Sequence, residues 1–565
     1  MPLSSNEPSS TSLPPLTLTT HEVKNQPPPL AGYNLFTSDA ALVEGLRREG
    51  GAFAEDEVVA FGALCGTEET IALGFAANKF TPVIQTHDRF GERRDEVEFH
   101  PAWHELMRIS MAHGIHNRPW RSPRPGAHVA RAAMSVMASQ VEAGHGCPIT
   151  MTFGVVPSIR MQPDLAAEWE PRLMGTQYDP RFIPAARKSA VIFGMAMTEK
   201  QGGSDVRANS TRAVPLGSGG PGAEYALTGH KWFCSAPMCD AFLVLAQAPK
   251  GLSCFLLPRF LPDGTKNRLF LQRLKDKLGN RSNASSEIEL DGSWARMVGE
   301  EGRGVPTIIE MANHTRLDCV IGSTALMRQA VFQATHHTAH RSAFGRRLID
   351  HALMKNVLAD LSLEAEAATA LMLRLARAYD EEQAGNAQGR ALRRIMTAVA
   401  KFWVTKRAVL MIPEALECLG GNGYVEESIL PRLYREAPVN SVWEGSGNVI
   451  CLDVLRAMAK EPGALEGLLG EIRLGAGAEP RLEAFVKRLE GDLRKVDELE
   501  VGARRIVEKM ALALQGSLLV RHAPAAVADA FCASRLADAP SQTFGTLPAS
   551  VDFSALIERT LPKLG

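Results

Sequence analysis

The rhythm of hydrophobic and polar positions divides the chain into blocks. From 30 to 187 apolar residues fall mostly at three- and four-residue steps, as in His128-Val-Ala-Arg-Ala-Ala-Met-Ser-Val-Met-Ala-Ser-Gln-Val141, where a 3.6-residue period gathers them on one stripe. This predicts an N-terminal helical domain. Between 188 and 300 the pattern shortens to alternating or fully apolar runs bounded by turn residues. Examples are Tyr225-Ala-Leu227, Ala241-Phe-Leu-Val-Leu-Ala246, Ser253-Cys-Phe-Leu-Leu257 and Glu287-Ile-Glu-Leu290, with Gly217 to Gly222 as a loop between strands. This predicts a central β domain. From 301 to 460 helical periodicity returns in long stretches, Ala352 to Ala378 and Leu392 to Leu419, of the kind that pack into a bundle. Pro462 and Gly463 mark a break. In the remaining block, 461 to 565, Leu482, Phe485, Val486, Leu489, Leu493, Val496 and Leu499 recur at helical steps among charges, which predicts an amphipathic helix of a further helical domain. Met1 to Pro29, rich in Ser, Thr and Pro, is expected to be a flexible tail. The fold class expected is α+β, mainly α.

Composition narrows the function classes. The chain has 565 residues, more than one hydrophobic core supports, so several packed units are expected. Its 62 Lys plus Arg nearly cancel 63 Asp plus Glu, so no global field draws it to nucleic acid or anionic lipid. Nine cysteines without a CxxC pair argue against a disulfide framework or a structural zinc site and suit a cytoplasmic location. No apolar run reaches the roughly 20 residues of a membrane span, so no membrane partner is expected. The first residues also lack the apolar core of a secretory signal and the arginines of a transit peptide.

The chemistry gathers in a few segments. In Met197-Thr-Glu-Lys-Gln-Gly-Gly-Ser-Asp205 two hydroxyls, Thr198 and Ser204, flank a Gly202-Gly203 turn, where missing side chains let backbone N–H groups approach a flavin or a phosphate. On spacing alone this is equally a plain turn. His336, His337 and His340 form a histidine cluster with no third ligand at a recognised zinc spacing, so no metal is expected.

Met197 to Asp205 resembles the T-E-x-x-x-G-S-D segment of the acyl-CoA dehydrogenases, and four more segments match in order. They are Gly229-His-Lys-Trp-Phe-Cys-Ser235, Arg341-Ser-Ala-Phe-Gly345, Gly420-Gly-Asn-Gly-Tyr424 and Trp443-Glu-Gly-Ser446. The wording is closer still to the AidB branch in Lys275-Asp-Lys-Leu-Gly-Asn-Arg-Ser-Asn283, Pro438 to Asn448, Phe99 to His104 and Cys147 to Phe153. The resemblance implies an acyl-CoA dehydrogenase fold with an added C-terminal helical domain, and FAD as cofactor. It implies that Met197, Thr198, Gly203, Phe233, Cys234 and Ser235 surround the flavin, with Thr198 and Ser235 bonded to it and Phe233 walling one face where the family usually has Trp. Ser204 would sit near the pyrophosphate. Arg341, Phe344, Gly420 and Gly421 would come from a neighbouring subunit to the adenine end, which implies a homodimer or homotetramer. Trp443, Gly445, Ser446 and Asn448 would complete the site. Ala352 and Glu417 depart from the family, whose members commonly carry Gln there.

Glu444 stands at the family's catalytic base. Dehydrogenating an acyl thioester needs a base at the α-carbon while hydride leaves the β-carbon, so one carboxylate must face the substrate opposite the flavin. Apolar walls such as Trp443 raise the pKa of such a carboxylate. Some relatives place the base on a bundle helix instead; here that position is Thr315, which cannot serve. The leading expectation is therefore α,β-dehydrogenation of an acyl-CoA or similar substrate.

The AidB branch implies an alternative, a flavin-containing protein of the alkylation response that associates non-specifically with double-stranded DNA through its C-terminal domain and retains weak or vestigial dehydrogenase activity. From Leu465 to Gly565, 13 Lys plus Arg face 14 Asp plus Glu, which lends that no average support. The clusters Lys487-Arg488, Arg494-Lys495 and Arg504-Arg505 with Lys509 are interleaved with acids and read as a salt-bridged helix face. A third reading is a scaffold that sequesters acyl-CoA.

Overall fold

The stripe seen at His128 to Val141 becomes the helix Ala127–Val141, buried on nearly every side. Gly126, at φ 83°, opens it beneath the Asp380 carboxylate, which accepts from the His128 and Val129 N–H groups. A carboxylate from the bundle thus caps a helix of the N-terminal domain and ties the two units together. The structure, a computed structural model, describes residues 21–461, 463–538 and 541–564. The expected break at Pro462 and residues 1–20 of the expected tail lie outside the described residues.

The N-terminal domain is not wholly helical. Between the helices Glu68–Lys79 and Pro101–Ala112 lies an antiparallel hairpin of β1 (Val83–His87) and β2 (Arg93–Glu98). The run Val83-Ile-Gln-Thr-His87 has period two, a strand signal within a block read as helical. The hairpin leans on the β domain, where Asp95 accepts from Leu271 N–H at 2.8 Å and Arg93 donates to Leu271 O at 2.6 Å.

The central domain comprises β3 (Phe193–Ala196), β4 (Arg212–Pro215), β5 (Glu224–Ser235), β6 (Ala241–Ala248), β7 (Gly251–Pro258), β8 (Leu269–Leu274) and β9 (Ser285–Val298). The order β6-β4-β5-β9-β7 closes on itself through β6–β7 pairing, with β3 parallel to β6 and β8 on β9. Closure leaves β6 and β7 covered on both faces, which is why they run apolar without alternation. β5, long and half-exposed, carries the chemistry out of this barrel, and the equally long but mostly buried β9 pairs along it.

The helices Gly304–His340, Ala352–Gln383 and Ala387–Glu417 form the bundle, with the shorter Leu430–Asn440 and Gly447–Lys460 laid against it. Beyond them, Ala464–Ala476, Ala503–His522, Ala525–Arg535 and Phe553–Glu558 pack directly on the bundle, and Pro480–Leu493 packs on Ala464–Ala476 and Ala503–His522 as an outer layer. The amphipathic helix expected through Leu499 stops at Leu493; Val496 continues the spacing but is 72% exposed, having no surface to bury against. Buried ion pairs stitch this layer to the bundle. Arg535 lies between Asp360 and Glu364, and Glu471 receives both Arg374 and Arg521.

The tail expected up to Pro29 needs correction for its described part. Asn25 accepts from Ser342 N–H at 2.7 Å and donates to Ser342 O, its carbonyl accepts from Arg341, Gln26 accepts from Asn422, and Pro28 O lies 2.8 Å from His336 Nε2. Backbone and amide bonding, which composition does not report, holds this stretch on the bundle. His336 is spent on that contact and His340 Nδ1 on the His336 carbonyl.

Candidate active site

The loop between the helices Leu430–Asn440 and Gly447–Lys460 carries Glu444 at φ 57°, a left-handed conformation unusual for a residue with a Cβ, followed by Gly445 at φ 104°. Such a conformer costs on the order of 1–3 kcal/mol and persists only where its surroundings over-determine it. Here two cations do so. Lys401, 1% exposed, donates its Nζ to Trp443 O at 2.9 Å and to Gly445 O, and Arg316 Nε donates to Glu444 O at 2.9 Å. Three successive carbonyls are therefore gripped, and Asp453 holds Arg316 in turn at 3.0 Å. The indole of Trp443 is fixed through Asn440 Oδ1.

This grip leaves the Glu444 carboxylate on the inner side of the loop. Its Oε2 has no hydrogen-bond partner among the described residues. Burial pushes its pKa up, opposed by the Arg316 charge, a Thr315 hydrogen bond and the Lys401 charge. Cys147, opening the helix Gly146–Ile159, lies near both this loop and the barrel: it feels the Glu444 charge and has Ser235 and Asn283 beside it. Ser235 Oγ is 3.3 Å from Ser285 Oγ, which accepts from Lys277 Nζ at 3.1 Å. Burial lowers the Lys277 pKa to about 8. Cys147 thus lies in the space between Glu444 of the bundle loop and Ser235 of β5.

A second group lines the barrel side of that space. Phe233 is 45% exposed beside half-buried Thr198 and Met197, and the Trp232 N–H donates to Thr198 O at 2.8 Å, joining the two segments. The turn after Thr198 is anchored by Glu199, buried with Lys231 at 2.8 Å; burial would raise its pKa, but Lys231, Thr211 and Gln201 hold it well below the usual carboxylate range. Gly203 is required for space, since a Cβ there would strike the Thr198 side chain. The hydroxyls of Thr198 and Ser204 make no hydrogen bond among the described residues, so both remain available to a ligand. Cys234, by contrast, is fully buried, and only its backbone flanks the space.

The remaining expected residues lie elsewhere. Arg341, Phe344, Gly420 and Gly421 sit at the far end of the bundle, joined through Asn25 and Gln26, with Phe344 96% exposed and open space around both glycines. Ser446 is exposed and makes no capping bond to the helix it precedes. The Asn448 side-chain oxygen accepts from Arg504 of the C-terminal layer at 3.0 Å. Sequence reading missed Lys401 and Arg316. For Lys401 a signal existed: it stands alone in the apolar run Val399-Ala-Lys-Phe-Trp-Val404, where a lysine needs a partner. Cys147 and Lys277 lay within segments read only as resemblance.

Of the basic residues of the C-terminal layer, Lys487 pairs with Glu483, Arg488 with Asp538, and Lys509 and Arg505 with Asp492.

The chain matches three family models in succession: Adaptive response protein AidB N-terminal domain over residues 25–180, Acyl-CoA dehydrogenase, middle domain, over 194–293, and Acyl-CoA dehydrogenase, C-terminal domain, over 302–459. It is 46% identical to AidB of Escherichia coli (strain K12) over 516 residues, covering 91% of this chain and 94% of that one. It is 31% identical to Acyl-CoA dehydrogenase family member 11 of Caenorhabditis elegans over 496 residues, covering 81% and 78%. The crystal structure of Caenorhabditis elegans ACDH-11 in complex with C11-CoA superposes with a TM-score of 0.83 at 28% identity, covering 94% of this chain and 96% of that one. With the barrel, the bundle, the gripped Glu444 loop and these likenesses together, the chain belongs to the acyl-CoA dehydrogenase family, in its AidB-like branch, and is an oxidoreductase of that type.

Proposed function

We propose that the protein holds FAD between β5 and the Glu444 loop and dehydrogenates an acyl-CoA thioester across its α and β carbons. One observation carries this reading: a carboxylate with an unpartnered oxygen, raised in pKa, is held by a strained and triply gripped loop. The residues fit the cofactor. Phe233 offers an exposed ring face, Thr198, Ser204 and Ser235 offer hydroxyls, and Gly203 offers its backbone N–H, that of Gly202 being spent on Glu199 O. FAD bound there supplies the acceptor for the hydride that leaves the β-carbon. Glu444 takes the α-proton; its raised pKa makes it a stronger base than a solvated carboxylate, and the water-poor surroundings of Cys147 and Cys319 keep that proton from exchanging. The C11-CoA bound by the Caenorhabditis elegans relative supports an acyl-CoA substrate. Exposed Phe344, Leu353 and Tyr424 at the far end of the bundle support association with a second copy there, where Arg341, Gly420 and Gly421 would reach the partner's cofactor. Nine buried, unpaired thiols suit the cytoplasm.

Anaerobic titration of the FAD-loaded protein with acyl-CoA thioesters of graded chain length tests the reading. Bleaching of the flavin by at least one of them, lost in Glu444→Gln, is the expected result; a flavin that none of them reduces refutes it. The DNA-associated alternative draws on the AidB likeness. Its test is salt-sensitive duplex binding that survives Glu444→Gln and falls on reversing Arg494 and Lys495, since deleting the C-terminal layer would break the bundle itself.

A further inference from the structure

A second cavity, of about 260 Å³, opens away from the Glu444 loop. Leu35, Ile71, Phe75, Val141 and Ile429 form its apolar walls, brought together from the N-terminal helices and the turn before Leu430–Asn440. Gln329 reaches it from the helix Gly304–His340, fourteen residues beyond Thr315, the neighbour of Glu444. At about 1.5 Å per residue this puts the two places about 21 Å apart, too far to be one site.

Its polar groups are incomplete. Gln140, 2% exposed, forms part of the wall, and neither its amide nitrogen nor its amide oxygen has a hydrogen-bond partner among the described residues. Tyr33 donates to Gln329 Oε1 at 3.2 Å, which leaves the Gln329 amide nitrogen as a second donor. A buried amide without partners is costly, and a ligand head that bonds it in this cavity removes that cost. The charge pattern selects the head. No Lys, Arg or His lines the cavity, and the acids that do, Glu68 and Glu427, are exposed. The nearest cation, Arg432, stands behind the wall, stacked on Phe75 and bonded to Val141 O, and already faces Glu142 and Glu436, so a carboxylate or phosphate would be buried without a counter-charge of its own, next to acids at the rim.

We propose that this cavity is a second ligand site for an uncharged amphiphile whose head both donates and accepts hydrogen bonds, a primary carboxamide being the simplest case, on an apolar body. At about 30 Å³ per water-sized group the space holds about eight or nine such groups, the size of a medium-length alkyl chain with its head. The inference is independent of the dehydrogenase reading.

Calorimetric titration of the full-length, FAD-loaded protein with octanamide and with octanoate tests it. Octanamide is expected to bind one to one, at least tenfold tighter than octanoate, without moving the flavin spectrum and without competition from acyl-CoA. Gln140→Leu, which keeps the volume and removes the amide, weakens octanamide at least tenfold. Ala72→Trp, at an exposed lining position, abolishes it and serves even where the core variant fails to fold. Absence of saturation up to the solubility limit, equal affinity in Ala72→Trp, equal affinity for octanoate, or displacement by acyl-CoA would each overturn the proposal.

Discussion

Replacing Lys401 by Met removes the ammonium that grips Trp443 O and Gly445 O while keeping an unbranched side chain of similar length. Hydrogen bonds from a charged group contribute about 1.5–3 kcal/mol each, but part of that gain is offset because burying the ammonium is itself costly, as its lowered pKa shows. Arg316 keeps the middle carbonyl, so the loop is loosened rather than freed. Taking about 2 kcal/mol as the lost preference for the left-handed Glu444 conformer, within the range such strain occupies, the reactive population falls about 30-fold. The expected outcome is a 10- to 100-fold fall in the rate of flavin reduction in anaerobic single-turnover mixing, with acyl-CoA affinity changed less than threefold and Lys401→Arg recovering part of the rate. Reduction within twofold of the parent rate in a folded Lys401→Met protein would show that the carbonyl grip does not hold the base.

Glu444→Gln, isosteric and uncharged, is expected to lower single-turnover reduction by about 10²–10⁴ while leaving FAD bound and visible by its absorbance. Because burial raises the Glu444 pKa, the reduction rate should climb as pH rises through a value above that of an ordinary glutamate, and a stopped-flow pH profile flat from pH 5 to 8 would contradict this. Glu436, pushed up to about 7 by burial and by the Glu142 charge, keeps its proton in the folded state after the unfolded chain has lost it near 4.5. Stability therefore falls as pH rises between about 4.5 and 7, by up to about 3 kcal/mol, and Glu436→Gln should flatten denaturation midpoints over that window. Arg535→Met leaves buried Glu364 with Arg407 and buried Asp360 with only the Gly545 and Thr546 N–H groups, and should cost about 3–5 kcal/mol in chemical denaturation, the size of a broken buried pair.

Periodicity made the bundle and the barrel legible because their apolar positions answer to one neighbouring surface at a time. The stretch Ala352 to Ala378 lies within a helix that runs on to Gln383, and all four runs quoted as strands lie within β5, β6, β7 and β9. The hairpin β1–β2 was hidden because its short alternating run was averaged into a helical block. Glu444 was visible through its motif, yet what poises it was not: Lys401 is 43 positions away and Arg316 is 128, and bonds to backbone carbonyls impose no spacing rule on the sequence. The packing of the last hundred residues on the bundle was equally silent, since a carboxylate such as Asp360 looks solvated until its partner, 175 positions on, is folded against it.

Arg559 spans Glu44 and Glu366, and Leu564 pairs with Tyr33, so residues more than five hundred positions apart share one corner of the bundle. During synthesis the first helices leave the ribosome long before these partners exist. The corner can close only once the last of these partners has been made, so the first helices are synthesised well before the side chains that complete it.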